Sequence, residues 1–276
     1  MTEPILPTVR LARAGITTSR LGFGTSRLHY LGQRQRQRLL AAAASLGFLH
    51  FDTAPAYGDG LAERELGRFL RTGRHRYVIV TKYGLAAHPM IEGVSAALAP
   101  PLRIATAFAR RIGFFQTPRP PLTPAGLRES AERSLRRLKT DWIDILLLHE
   151  PSLERLCDPI GLVEQFEKLR ERGLIRAFGI AGSWTGISAL QTVVPELAQV
   201  VQTAETECPE TFSPEITYGA ISEGSQSYLA DKIGGDVALE RLRSALKRRP
   251  GSVVIVSTTK INHLHDLAKM ANQSLV

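Results

Sequence analysis

Short β-branched or leucine-rich runs alternate with amphipathic stretches along nearly the whole chain of 276 residues. Strands followed by helices in this order indicate a parallel sheet, and eight such units are typical of a (β/α)₈ barrel. We therefore predict an α/β fold, a TIM barrel that forms a single domain over residues 1–276. The eight predicted strands are Arg20–Gly24, His50–Asp52, Val78–Thr81, Ile143–Leu148, Ala177–Ile180, Gln199–Thr203, Ile216–Ile221 and Val253–Ser257.

The start of the chain and three later segments depart from a plain repeat. The last of the three, Ser222–Asp236, is rich in Ser, Gly and Gln and predicts a flexible loop. The start, Val9–Leu21, alternates apolar and polar residues around Ala-Gly and predicts a short hairpin that closes the barrel floor. After the third strand, Tyr83–Leu122 is a long insertion, which is either a lid over the site or a helix packed on the barrel edge. Between the sixth and seventh strands only Glu205–Glu215 remains, so we expect the sixth helix to be missing or reduced.

Composition and charge exclude several functional classes. The apolar runs are too short to span a bilayer, and residues 1–10 have no signal-peptide stretch, so a cytoplasmic location and no membrane partner are expected. The net charge of +9 raises the question of nucleic-acid binding, but the arginine clusters lie on helix-like segments and no nucleic-acid motif accompanies them. Cys157 and Cys208 stand alone, without metal-ligand spacing, so we expect reduced thiols and no metal.

Four polar residues fall at or just after consecutive predicted strand ends. Asp52 ends the second strand, and Tyr57 lies in the loop that follows it. Lys82 ends the third strand and His149 the fourth. Since active groups of such barrels lie at the C-terminal strand ends, and adjacent strands are about 4.8 Å apart, these side chains should converge.

Together the four side chains make a proton donor for carbonyl chemistry. A phenol is a weak acid at neutral pH unless a neighbouring ammonium stabilises its anion, and a carboxylate can hold that ammonium in place. An imidazole can then hydrogen-bond the substrate oxygen. Each residue alone has an ordinary structural explanation, such as an ion pair, a core histidine or a packing tyrosine. Their joint occurrence in this order favours the catalytic interpretation.

The chain resembles the aldo-keto reductase superfamily over essentially its full length, most closely its bacterial aldose-dehydrogenase-like branch. That resemblance implies hydride transfer between a nicotinamide cofactor and a small carbonyl or alcohol substrate, with no nucleic-acid partner. It also implies that Tyr57 is the general acid/base, Lys82 lowers the Tyr57 pKa, Asp52 holds Lys82, and His149 orients the substrate oxygen. The matching stretches are Leu21–Thr25, Phe51–Gly58, Glu65–Leu70, Val80–Gly84, Ser134–Asp144, Leu146–His149 and Gly173–Ile180.

The resemblance also implies a set of cofactor contacts and favours NADP(H), with NAD(H) as the alternative. Gln202 corresponds to a carboxamide ligand, and the last strand end leads into a helix start with a lysine, which suits a phosphate. The predicted cofactor residues are Gly24, Thr25, Asp52, Ser183, Gln202, Ser257, Thr258, Lys260 and His263.

Part of the family pattern is absent at the nicotinamide. The usual Gly-x-Ser-Asn after the fifth strand ends here in Ala181 and Gly182, and 203–207 contain no aromatic residue to stack on the ring. Lost contacts of this kind leave amide groups of the cofactor unpaired, and each unpaired group costs roughly 1–3 kcal/mol of binding free energy when it is buried. A second hypothesis therefore stands beside the enzyme: a reductase-like barrel with weakened cofactor binding that acts as a binding or regulatory module. The oligomeric state is not predicted.

Overall fold

The computed structural model describes residues 6–88, 117–221 and 235–273, and it confirms the predicted barrel. Eight strands, β3 to β10, pair in parallel in chain order, and β10 pairs with β3 to close the sheet. The strands are β1 (Thr8–Leu11), β2 (Ile16–Ser19), β3 (Leu21–Gly24), β4 (His50–Asp52), β5 (Val78–Tyr83), β6 (Ile143–His149), β7 (Ile175–Gly182), β8 (Val200–Ala204), β9 (Ile216–Tyr218) and β10 (Val253–Val256).

Helices cover the outside of the barrel, and several begin at residues suited to that position. Thr123 caps one helix by accepting the Gly126 N–H at 3.1 Å, and Asp158 caps the next by accepting the Gly161 N–H at 2.8 Å. A proline follows each cap, where its missing N–H costs nothing. The described helices are α1 (Gln33–Ser45), α2 (Leu61–Phe69), α3 (Pro124–Leu138), α4 (Pro159–Glu171), α5 (Trp184–Val193), α6 (Gly235–Arg248) and α7 (Ile261–Gln273).

The N-terminal hairpin covers the barrel floor, as predicted. Strands β1 and β2 pair antiparallel, and Gly15 turns the chain with φ of +66°. Leu11 and Ile16 of this hairpin are buried and pack with the inward-facing side chains of the barrel strands. The floor is therefore filled with apolar side chains, which leaves the opposite, C-terminal end for a site.

The departures that the sequence predicted around the sixth unit are confirmed in part. No helix lies between β8 and β9, where residues 205–215 form turns. Most of the insertion after β5, and with it the choice between a lid and an edge helix, lies outside the described residues. So does most of the glycine- and serine-rich stretch before α6. Within the described ranges, no helix has the length and apolar character that crossing a membrane requires.

A buried ionic cluster ties two helices to the strand that carries Lys82. Glu63 of α2 is fully buried, and its Oε2 accepts from Arg137 Nε of α3 at 2.6 Å. Its Oε1 accepts from the Thr81 hydroxyl at 2.7 Å, one residue before Lys82. Because water does not reach this carboxylate, its charge is balanced mainly by Arg137.

We predict that Glu63→Gln destabilises the fold by about 3–5 kcal/mol, since it leaves the Arg137 guanidinium buried without its counter-charge. The matched control is Glu164→Gln, which breaks the exposed pair between Glu164 and Lys168 and should cost about 0.5 kcal/mol or less. Urea unfolding followed by circular dichroism measures both. Equal losses in the two variants would contradict the importance of the buried cluster.

Candidate active site

A cavity of about 500 Å³ opens at the C-terminal ends of the barrel strands. All four predicted catalytic residues line it, together with four further predicted cofactor residues that lie on other strands or directly after them. The eight are Asp52, Tyr57, Lys82, His149, Gly24, Ser183, Gln202 and Ser257. The convergence predicted from the strand ends is therefore present in the structure.

The cavity floor is built on a buried ion pair between Lys82 and Asp52. Lys82 Nζ lies 2.8 Å from Asp52 Oδ1 and 2.7 Å from Oδ2, and both residues are about 2–3% exposed. Side chains on a strand alternate between the two faces of the sheet, so Lys82 shares the inward face with Val78 and Val80 of β5. The ammonium is therefore directed into the barrel by strand periodicity alone.

The role implied for Lys82, to lower the pKa of Tyr57, stays a prediction, and burial has the largest effect on this phenol. The three protons of the Lys82 ammonium are directed to Asp52 Oδ1, Asp52 Oδ2 and the Thr53 carbonyl oxygen. Its Nζ lies 5.2 Å from the centre of the Tyr57 ring, and Asp52 neutralises its charge. Burial, with a smaller contribution from Asp52, raises the pKa of Tyr57 well above its ordinary value. The resting group is therefore a neutral phenol that can donate a proton.

His149 stands beside this phenol as a neutral imidazole. The two ring centres are 6.0 Å apart, with the planes nearly perpendicular at 86°. Burial, followed by the positive charges of Lys82, Arg119 and Arg155, holds the pKa of His149 well below its ordinary value. A neutral imidazole can orient an oxygen in the cavity by one hydrogen bond without adding charge.

Gln202 lines the cavity and carries a buried amide oxygen that no described residue pairs. Its Nε2 donates to Asp52 Oδ2 at 2.9 Å, which fixes the amide and turns its oxygen away from the ion pair. That oxygen, Oε1, is buried and has no hydrogen-bond partner among the described residues. An unpaired buried acceptor on a cavity wall is costly unless a ligand donates to it, and a carboxamide N–H fits that need.

The remaining predicted cofactor residues divide into two groups. Gly24 and Ser257 face each other across the rim, so closely that a Cβ on Gly24 would lie 2.3 Å from Ser257 Oγ. Thr25 is buried beneath them, where its N–H and its hydroxyl both donate to the Asp52 carbonyl oxygen at 2.9 Å. It positions the Asp52 backbone and is not among the residues that line the cavity.

Thr258, Lys260 and His263 form a separate group at the start of α7. The Thr258 hydroxyl accepts the Lys260 N–H at 3.1 Å and lies 3.4 Å from His263 Nδ1. This group lies outside the cavity lining, at the rim beside Ser257. That separation is consistent with a ligand long enough to reach from the cavity to the α7 start.

The structure also shows functional candidates that the sequence interpretation missed. Tyr218, at the end of β9, lies in the cavity and pairs in register with Ala204 of β8. Burial raises its pKa well above the ordinary value of a phenol. An aromatic side chain is thus present at the next strand, although none follows β8 directly. Glu150, directly after His149, also lines the cavity.

Comparison with known proteins agrees with this fold. The aldo/keto reductase family model matches residues 20–205. The chain is 34% identical over 179 residues to a D-threo-aldose 1-dehydrogenase from a Pseudomonas species, a match that covers 61% of this chain and 51% of that protein. The chain thus spans about half the length of the curated relatives it matches. This chain belongs to the aldo/keto reductase family.

Solved structures share the fold. One from Pseudomonas aeruginosa, assigned provisionally to the aldo-keto reductases, superposes with a TM-score of 0.72 at 24% identity and covers 100% of this chain and 99% of its own. An aldo-keto reductase from Klebsiella pneumoniae in complex with NADPH superposes with a TM-score of 0.64 at 22% identity, covering 97% of this chain and 90% of its own.

Gly84 offers a test of how the strand-end backbone positions His149. Its φ is +134°, and a Cβ at this position would lie 2.6 Å from the His149 carbonyl oxygen. We predict that Gly84→Ala destabilises the fold by about 1–3 kcal/mol, because the clash adds to the backbone strain. Gly173→Ala is the control, with φ of +70° and open space around its Cβ, and should cost about 1 kcal/mol. Chemical unfolding measures the loss of stability in both variants. A larger loss for Gly173→Ala than for Gly84→Ala would contradict the predicted clash with the His149 carbonyl oxygen.

Proposed function

We propose that this protein is an NADP(H)-dependent oxidoreductase that transfers a hydride between a nicotinamide and an aldehyde, ketone or sugar-like carbonyl. One observation carries the proposal. A neutral phenol, a neutral imidazole and a buried lysine–aspartate pair line the same cavity as the unpaired acceptor of Gln202. Proton transfer and nicotinamide binding therefore meet in one place, which carbonyl reduction requires.

The chain's own residues handle the proton. Tyr57 donates its phenolic proton to the carbonyl oxygen during reduction and accepts one from the alcohol during oxidation. His149 holds the same oxygen by a hydrogen bond, and its lowered pKa keeps it neutral while it does so. Asp52 fixes Lys82, so that a positive charge lies 5.2 Å from the Tyr57 ring when the phenolate forms. The positive charge of Lys82 thereby stabilises the negative charge that develops on Tyr57.

A dinucleotide fits the rest of the site. When bound, its nicotinamide supplies or accepts the hydride. Gln202 Oε1 would accept from the carboxamide, and Tyr218 presents an aromatic face on the same wall. At the start of α7, Lys260 and the hydroxyl of Thr258 would bind the adenosine phosphate, which is the reason to favour NADP(H) over NAD(H). The NADPH complex of the Klebsiella relative supports this choice.

The substrate class is proposed from chemistry and from one relative. The cavity holds carboxylates and hydroxyls as well as apolar groups, which suits a small polyhydroxy carbonyl. The match to a D-threo-aldose 1-dehydrogenase supports a sugar-like substrate.

A second candidate function follows from Ala181 and Gly182. These residues lack the hydroxyl and amide that usually hold the carboxamide, so a barrel with weak cofactor affinity could serve as a binding or regulatory module. The four cavity residues of the proton-transfer site favour the enzyme, because a module has no need of them. The two candidates differ in one measurable property, the affinity for the dinucleotide.

Replacing Tyr57 tests the proposed acid. We predict that Tyr57→Phe lowers kcat by about 10²–10⁴-fold, since it removes the proton donor and leaves the ring. NADPH affinity should change little, because the hydroxyl is not among the proposed cofactor contacts. Stopped-flow absorbance of NADPH oxidation, with a panel of small aldehydes and free aldoses, measures the rate.

Tyr218→Phe is the matched comparison, because it removes the other phenolic hydroxyl of the same cavity. We expect it to cause a far smaller loss of kcat than Tyr57→Phe. If Tyr57→Phe keeps the parent rate on a proven substrate, or if Tyr218→Phe is the more damaging change, the assignment of the acid is wrong.

A further inference from the structure

Glu150 has an unusual backbone at the cavity wall. Its φ is +48°, in the left-handed region that few residues other than glycine, asparagine and aspartate adopt. Two hydrogen bonds hold this backbone in place. The Glu150 N–H donates to the Ala181 carbonyl oxygen at 2.7 Å, and Arg155 Nη1 donates to the Glu150 carbonyl oxygen at 2.8 Å. Strained backbone that is fixed in this way is common at functional sites.

The Glu150 side chain lies against the strand where the family's carboxamide ligands are absent. Its Oε2 is 3.4 Å from the position that a Cβ on Gly182 would take. A Cβ at position 182 would therefore be in ordinary van der Waals contact with the carboxylate. The Glu150 carboxylate thus lies beside the place from which a side chain at position 182 would project.

The Glu150 carboxylate lies beside the strand end that carries Gly182 and Ser183. A hydrogen bond from the Ser183 backbone N–H helps to lower its pKa, and its charge acts on Tyr218 of β9 and on Glu207 beyond β8. These groups line the same cavity as Gln202. The charge of Glu150 also contributes to the raised pKa of Tyr57.

We infer that Glu150 is a nicotinamide-binding residue of this chain, which replaces the missing serine and asparagine and selects the oxidised cofactor. This inference rests on the proposed function. A carboxylate accepts a carboxamide N–H as well as an amide oxygen does. It also carries a negative charge, and the nicotinamide ring is cationic only when it is oxidised. In a half-buried site, that attraction favours the oxidised over the reduced form.

Glu150 must be ionised to distinguish the two cofactor forms. Burial, with a smaller contribution from Glu207, raises the pKa of its carboxyl group, and Arg119, the Ser183 N–H and Arg155 offset only part of that shift. The binding measurements are therefore made at about pH 8, well above the usual carboxyl range. The two arginines also weaken the field of the carboxylate at the ring, so the preference should be moderate.

The test is the ratio of the two dissociation constants, for NADP⁺ and for NADPH, measured by calorimetry and fluorescence on the full chain. We expect Glu150→Gln to weaken NADP⁺ binding relative to NADPH binding by roughly tenfold. Glutamine keeps an amide oxygen as acceptor, so NADPH affinity should change less. Glu154→Gln is the control, since it removes the same charge from an exposed residue close by in the same loop.

A second pair of variants keeps the test valid if Glu150→Gln disturbs the folded backbone. Glu150→Asp and Glu150→Asn have the same shape, and both residues tolerate a positive φ. The aspartate variant should prefer NADP⁺ more strongly than the asparagine variant. Equal ratios within this pair, or between Glu150→Gln and the parent, would overturn the inference while leaving the proposed function intact. Failure of the parent to bind either form would overturn the proposed function first and the inference with it.

Discussion

The bidentate ion pair between Lys82 and Asp52 is the interaction on which the rest of the site depends. Both groups are almost fully buried, and removal of either one would leave an uncompensated charge inside the barrel. The pair also orders its neighbours. Gln202 donates to the same carboxylate, and Thr25 binds the Asp52 carbonyl oxygen. The same ion pair therefore positions groups around both Tyr57, the proposed proton donor, and Gln202, the proposed nicotinamide acceptor.

Strand periodicity explains why so much of this arrangement could be predicted from the sequence. Asp52, Lys82 and His149 end three strands in succession, and parallel strands bring their C-terminal ends to one rim. The missing sixth helix followed from the short distance between two apolar runs. Gln202 was predicted from the family resemblance instead, and the structure places it in the buried strand β8.

Long-range contacts account for what the sequence could not provide. The raised pKa of Tyr57 depends on burial and on the nearby charge of Asp52, neither of which a linear pattern contains. Tyr218 approaches the cavity from the strand next to the one where an aromatic residue was expected. Glu150 follows His149 directly, and its importance depends on its left-handed backbone and on Gly182 across the strand pair.

The central expectation is that the cavity organised by Lys82 and Asp52 binds a nicotinamide dinucleotide. Titration of the purified protein with NADPH and with NADH, followed by the fluorescence of the reduced nicotinamide, tests this binding most directly. We predict saturable binding of NADPH in the micromolar range, with weaker binding of NADH. No binding of either cofactor at millimolar concentration would contradict the claim and favour a module that has lost its cofactor.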